Sequence, residues 1–270
     1  MELNALFKTS TPVIGVVHLL PLPTSARWQG SLQAVIDRAV QETVALVSSG
    51  INGIIVENFF DAPFTKEAID PAVVSAMTIV VSRLQQLVTV PIGLNVLRND
   101  GYSGLAIAAC TGAEFIRVNV LTGVMATDQG IIEGDAHRLM RYRRELGADV
   151  KVFADVLVKH AAPVGSVAME TAMANAVADT IHRGLADAVI VSGGATGYAP
   201  TGQDLANAKA AAGKTPVLVG SGATVDNVRD LMQSADGVIV SSSLKRWGQI
   251  EQAVDPYRVG QFMNAMPFHT

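Results

Sequence analysis

The sequence predicts a single (β/α)8 barrel. Three observations carry this. Eight short runs rich in Val and Ile alternate with helical patterns, the 270 residues suit a barrel of about 250 residues, and the composition stays even along the chain. The runs are Val13–His18, Gly53–Asn58, Pro91–Leu97, Phe115–Val120, Val150–Leu157, Ala188–Ser192, Pro216–Gly220 and Gly237–Ser241. Strands covered on both faces read as near-continuous apolar runs. The competing layout is an open doubly wound sheet. It is disfavoured because no G-x-G-x-x-G follows the first run, where Gly15 stands alone. No linker or break in composition divides the chain, so residues 1–270 are read as one domain.

The helices follow from spacing and end signals. Ser31–Ser49 puts Leu32, Val35, Ile36, Ala39, Val40 and Val44 on one face, with Gly50 suited to the C-terminal cap. Pro71 opens the next helix behind a capping Asp70. Asp135–Leu146 stops at Gly147, Ser166–Arg183 stops at Gly184, and Thr224–Gln233 opens on a capping Thr. Two further helices are expected around Tyr102–Cys110 and Asp204–Ala212.

Composition narrows the function. Apolar residues make up 49% and charged ones 16%, which supports a large core and argues against disorder. No apolar stretch reaches the ~18 residues of a membrane span. Val13–Leu22 contains His18 and Pro21, lacks a basic flank, and is not expected to act as a signal peptide. The one cysteine, Cys110, excludes an internal disulfide framework, fits a reducing compartment and is read as a small core residue. A net charge of −4 argues against general affinity for nucleic acid or acidic lipid, and Arg138, Arg141, Arg143, Arg144 and Tyr142 are read as a solvated helix face. The expectation is a cytoplasmic protein with a small-molecule site.

Barrel sites lie at the C-terminal ends of the strands. Those ends carry His18; Glu57 and Asn58; Asn95, then Arg98, Asn99 and Asp100; Arg117 and Asn119; Asp155, Lys159 and His160; Ser192, then Gly193 to Gly197; Gly220-Ser221-Gly222; and Ser241-Ser242-Ser243 with Lys245. Strand alternation groups His18 with Ile14 and Val16, Glu57 with Gly53 and Ile55, Arg117 with Asn119, and Asp155 with Phe153. An inward Arg117 would need Glu57 or Asp155 as a partner, and an ion network that merely fills the barrel is the bland alternative. Packing alone gives no reason for the polar bias towards one end.

The last two turns are read as an anion cradle. Gly220, Ser221 and Gly222 would let backbone amides approach a phosphate, the Thr224 helix start would add donors, and Ser241, Ser242 and Ser243 would supply hydroxyls and amides. Plain tight turns are the alternative. Lys159 is either an amine able to form a Schiff base, a phosphate contact or a solvated side chain. Glu57, Asp61, Asp155, Glu133 and Asp135 leave Mg²⁺ open as a cofactor; no zinc spacing and no G-x-S-x-G elbow occur.

Several long stretches, in order, resemble the BtpA/SgcQ family. They are Ile14–Pro23, Val56–Phe64, Gly93–Asp100, Phe115–Val120, Gly130–Ala136, Val152–Ala161, Ser192–Gly197 and Val219–Gly222. Phe60 departs from the family pattern, where a smaller residue is expected, and should narrow the loop beside the site. The resemblance implies a barrel of the ribulose-phosphate-binding kind without fixing a reaction. The family's namesake is linked with photosystem I biogenesis, and another member lies among sugar-metabolism genes.

Two functions are therefore expected. The first is an enzyme of phosphosugar or phosphoribosyl metabolism, of isomerase or lyase type. Asp155, Glu57 and His18 would be its acid–base groups, with Asp155 the first choice as base. Asn95, Arg117, Asn119, Lys159 and Ser192 would bind substrate, and proton abstraction beside a carbonyl, aldol cleavage and glycosidic-bond chemistry all stay open. The second is a non-catalytic accessory factor for a membrane or photosystem complex. Homo-oligomerisation is left open; the apolar end Phe262–Phe268 is expected to dock on its own barrel or on a neighbour.

Overall fold

The computed structural model describes residues 1–165, 169–195 and 197–267, with the side chains of Met169 and Glu170 outside the description. Eight parallel strands close a barrel: β1 (Val13–His18), β2 (Gly53–Glu57), β3 (Ile92–Asn95), β4 (Phe115–Val118), β5 (Lys151–Val156), β6 (Ala188–Val191), β7 (Val217–Val219) and β8 (Gly237–Val240). Each strand pairs with its sequence neighbours, and β8 closes on β1. The pairing sets His18 level with Glu57, Glu57 with Asn95, and Asn95 with Arg117. Four successive strands therefore deliver one polar residue each to a single layer.

Alternation separates two cores. Side chains of one parity fill the barrel, where Ile14, Val16, Ile55, Phe115, Phe153, Ile190, Leu218 and Ile239 are buried together. Phe115 and Phe153 stack at 4.8 Å. The other parity, including Val13, Val17, Ile54, Val56, Val152 and Val189, packs against the helices. A short helix, Leu3–Phe7, brings Leu3 and Phe7 into the interior cluster, with Phe7 edge-on to Phe115 at 5.6 Å. The sequence reading did not foresee this plug, because five residues are too few to show a period.

Most helix ends follow their signals. The Ser31 hydroxyl accepts from the Ala34 amide, Asp70 accepts from Ala72 ahead of Pro71, and Asp135 accepts from Arg138 ahead of Ala136–Leu146. Helix Leu32–Ser48 differs in its buried face, which is Val35, Ala39, Glu42, Thr43 and Leu46, leaving Val44 exposed. Glu42 is drawn inward because Lys245, expected at the mouth, is instead fully buried beside it at 2.9 Å. The segment expected as Ser166–Arg183 is helical over Met169–Ala178 and continues as a π turn, Asp179–Arg183; Ser166 lies outside the described residues. The less distinct pair form as Gly101–Thr111 and Gly202–Ala212.

Two expectations are corrected. Cys110 is exposed, because it lies on the outer side of Gly101–Thr111 rather than against the strands. Thr224 does not open a helix: the helical residues are only Val228–Leu231, and the Thr224 amide donates to the Asn227 side chain at 2.8 Å. A three-stranded antiparallel sheet was also unforeseen. It joins Val124–Thr127 and Gly130–Glu133, after β4, to Ala161–Pro163, after β5. Met125, Ile132 and Val158 bury its inner face. At the chain end, Phe262, Met263 and Met266 pack into the chain's own helix–strand core, while Phe268 lies outside the described residues.

Candidate active site at the mouth of the barrel

The strand-end layer forms the floor of a divided chamber. One lobe, about 220 Å³, is lined by Glu57, Phe59, Phe64, Asn95, Arg98, Arg117, Asn119, Asp128, Lys159 and His160. The other, about 40 Å³, is lined by His18, Glu57, Phe59, Arg117, Lys159, Gly197, Gly220–Gly222, Ser241 and Ser242. Glu57, Phe59, Arg117 and Lys159 belong to both lobes. A larger cavity of about 350 Å³ lies outside the barrel beside Tyr102 and Arg138. It contains none of the four residues of the strand-end layer, so size does not select it.

Arg117 and Asp155 anchor the floor. Arg117 donates through Nε and Nη2 to the two Asp155 oxygens, each at 2.8 Å. Asn119 Nδ2 adds a bond at 3.0 Å and Ser192 Oγ one at 3.4 Å. Burial works against the Arg117 charge, but the Asp155 carboxylate outweighs it and holds the guanidinium firmly protonated. This coordination makes Asp155 the fixed counter-ion of Arg117; both its oxygens already accept hydrogen bonds, which leaves it ill suited to the base role expected for it.

Glu57 is placed differently. It is buried, forms no ion pair among the described residues, and faces both lobes. Burial pushes its carboxyl up, against the downward pull of Arg117, Lys159 and a hydrogen bond with the Asn95 side chain. His18 is held well below the usual imidazole range, first by burial and then by the Lys245, Lys159 and Arg117 cations, so it stays neutral. Its ring stacks on Phe59 at 4.5 Å, and its Nδ1 lies 3.4 Å from Ser241 Oγ. Phe59–Asp61 is one 3-10 turn, with Phe60 edge-on to Phe59 at 5.4 Å, so the second Phe braces the ring that covers His18.

Two orphaned atoms mark the larger lobe. The side-chain oxygens of Asn95 and Asn119 are buried without a hydrogen-bond partner. The Asn119 orientation is dictated, because only its NH2 group can donate to Asp155. An unsatisfied buried acceptor costs on the order of 1–3 kcal/mol, and in a site it stands ready for a ligand donor.

The seventh and eighth turns converge beside the smaller lobe, with altered roles. Ser221 Oγ donates to the Tyr198 carbonyl at 2.9 Å and Ser243 Oγ to the Ala223 carbonyl at 2.8 Å, so these hydroxyls serve the backbone. Ser243 does not line the chamber, whereas Ser241 and Ser242 do. Ser242–Leu244 begins a 3-10 helix whose first amides have no acceptor within it. Gly222 has φ +74°, and a Cβ there would fall onto the Ala199 backbone. At Gly220 a Cβ would lie 2.5 Å from Ser192 Oγ and 3.3 Å from Arg117 Nη2. These glycines therefore make room first for the neighbouring turn and for Arg117. Thr196, in the sixth turn, lies outside the described residues.

The carboxylates considered for Mg²⁺ are not brought together. Asp61 accepts from the Leu22 amide at 2.7 Å and from Asn58 at 3.1 Å, Asp135 caps a helix, and Asp155 holds Arg117. Among the described residues no group of three His, Cys, Asp or Glu side chains is arranged to hold a metal ion. Sequence reasoning passed over Phe59, Phe64, Asp128 and the importance of Arg98, which is buried and donates to the Lys159 carbonyl at 3.0 Å. Arg98 follows the third run directly, so its position was the available signal; the hairpin residue Asp128 carried none.

With this geometry in place, comparison with known proteins is specific. The BtpA family matches residues 9–267. The chain belongs to the BtpA family. The photosystem I biogenesis protein BtpA of Synechocystis sp. is 64% identical over 266 residues, covering 98% of this chain and 91% of that protein. Solved barrels share the fold at low identity. The native KDPGal structure superposes with a TM-score of 0.56 at 15% identity, covering 96% of both chains. N-(5'-phosphoribosyl)anthranilate isomerase of Pyrococcus furiosus gives 0.52 at 16%, covering 94% of this chain and 98% of the other. No described helix is long and apolar enough to cross a membrane.

Proposed function

We propose that this BtpA-family chain is an enzyme of phosphosugar or phosphoribosyl metabolism, of isomerase or lyase type. The observation that carries the reading is the floor of the chamber: two orphaned amide oxygens beside a buried carboxyl that has no ion-pair partner among the described residues, all on a bed fixed by Arg117 and Asp155. Buried acceptors are usually met, and here two unmet ones face the same cavity. The orphaned Asn95 and Asn119 oxygens suit sugar hydroxyls. Glu57 acts as the base, since burial raises a carboxyl towards neutral pH, where proton transfer is efficient. Neutral His18 donates to the oxygen on which charge develops. The phosphate sits in the smaller lobe, against the amides of the Gly222 and Ser242 turns.

Ligand binding tests the reading. Ribose 5-phosphate, dihydroxyacetone phosphate and inorganic phosphate should each raise the melting temperature, and unphosphorylated ribose should not. A ligand at 100 times its Kd adds about 2.7 kcal/mol. A flat response across that panel removes the phosphate reading. The second reading, an accessory factor in assembly of a membrane complex, draws support from the name of the 64% identical Synechocystis protein. It predicts that Glu57→Gln leaves the biological role intact.

A further inference from the structure

We propose that Lys159 is a covalent nucleophile, forming an imine with the carbonyl carbon of the bound ligand; this deepens, and rests on, the phosphorylated-ligand reading. Lys159 lines both lobes of the chamber, at the join between them. Its ammonium has no ion-pair or hydrogen-bond partner among the described residues. Acidic groups lie nearby, yet Asp155 is taken by Arg117, and Glu57 forms no ion pair among the described residues. A lysine meant as a structural counter-ion looks different in this chain: Lys245 holds both oxygens of Glu42 at 2.9 Å.

The backbone around Lys159 is fixed on two sides. Arg98 donates to its carbonyl from the third turn at 3.0 Å, and the His160 amide donates to Gly194 of the sixth turn. Leu157 and His160, on either side of Lys159, both adopt left-handed φ values, of 49° and 56°. A phosphate contact needs only a mobile positive charge, whereas a nucleophile needs a held position. Burial, with Arg117 and Arg98 close by, also lowers the Lys159 pKa against the opposing Glu57 and Asp155 charges.

The chemistry balances with groups already in the chamber. The neutral Lys159 nitrogen bonds to the carbonyl carbon, and one N–H proton passes to the carbonyl oxygen, giving a carbinolamine. Protonated Glu57 delivers its proton to that hydroxyl, the C–O bond breaks, and water leaves. The nitrogen lone pair closes the C=N bond, leaving a protonated imine and the Glu57 carboxylate. That carboxylate is then the base for the adjacent C–H or hydroxyl proton, with the imine as electron sink.

The test is reductive trapping. The full chain is mixed with dihydroxyacetone phosphate and sodium borohydride, whose hydride reduces the imine to a stable secondary amine, and the adduct is mapped by mass spectrometry. We expect it on Lys159 in preference to the exposed Lys8, Lys66 and Lys214. Lys159→Arg should keep the thermal stabilisation by inorganic phosphate and lose the adduct, with Lys159→Gln as a second variant should the first fold poorly. Labelling spread evenly over surface lysines, or unchanged in the variants, overturns the imine. If phosphate stabilises the native chain and Lys159 still captures nothing, the imine fails alone. If phosphate has no effect either, the ligand reading fails with it.

Discussion

At the scale of single residues, burial decides which charged group does what. Arg117 and Asp155 are both sealed from solvent and mutually satisfied. Arg117→Met should therefore cost about 3–5 kcal/mol, because it strands the Asp155 carboxylate rather than merely deleting a contact. Chemical denaturation measures this, and a fully stable variant contradicts the pairing. Glu57 gives a prediction of opposite sign. Its carboxyl is raised in the folded state, so below the ordinary glutamate range it is protonated folded and unfolded alike. As pH rises through that range the unfolded chain loses its proton first, and stability falls. Glu57→Gln should be more stable than the native chain at neutral pH, with the gap closing near pH 4, where the unfolded carboxyl titrates. Melting curves across pH read it directly, and a gap that widens in acid is the opposing result.

At the scale of elements, the helix Leu3–Phe7 and the seventh turn have roles that no periodicity announces. Phe7 closes the lower end of the barrel against Phe115 and Phe153. Phe7→Ala should cost about 3–5 kcal/mol, the range for a large aromatic removed from a core. Because the plug lies below the polar layer, ligand binding measured on the remaining folded protein should change little. Loss of binding without loss of stability would place the helix in the site instead. The Gly222 turn is coupled in the other direction: Gly222→Ala forces a Cβ onto Ala199 at a φ of +74°, so it should destabilise the chain and disturb the phosphate lobe together.

At the scale of the whole molecule, closure brings together residues from opposite ends of the chain. Lys245, just after β8, is bonded to Glu42 on the helix after β1, and Arg38 contacts the same carboxylate at 2.8 Å. This cluster ties the turn after β8 to helix Leu32–Ser48 at the seam where β8 meets β1. Lys245→Met should cost about 3 kcal/mol in denaturant stability, the low end for a broken buried pair, because Arg38 keeps one contact with Glu42. Glu42→Gln combined with Lys245→Met should recover much of that loss, since no fully buried charge is then left unpaired and the partly exposed Arg38 keeps water and the Glu251 carbonyl. A double variant no better than the single one would mean that packing, not charge, secures the seam.

The sequence by itself determined the barrel, the level at which its polar residues lie, and most helix ends, because these depend on local periodicity and capping that a short window contains. The residues from His18 to Arg117 were legible as strand ends for that reason. Closure of the barrel settled how the charges pair: that Asp155 is held by Arg117, that Lys245 turns away to Glu42, that Glu57 and Lys159 have no ion-pair partner among the described residues, and that the Ser221 and Ser243 hydroxyls serve the backbone. A charge's role depends on the nearest opposite charge and on the water removed around it. Both are set by strands and loops distant in the chain, which meet only when the barrel closes.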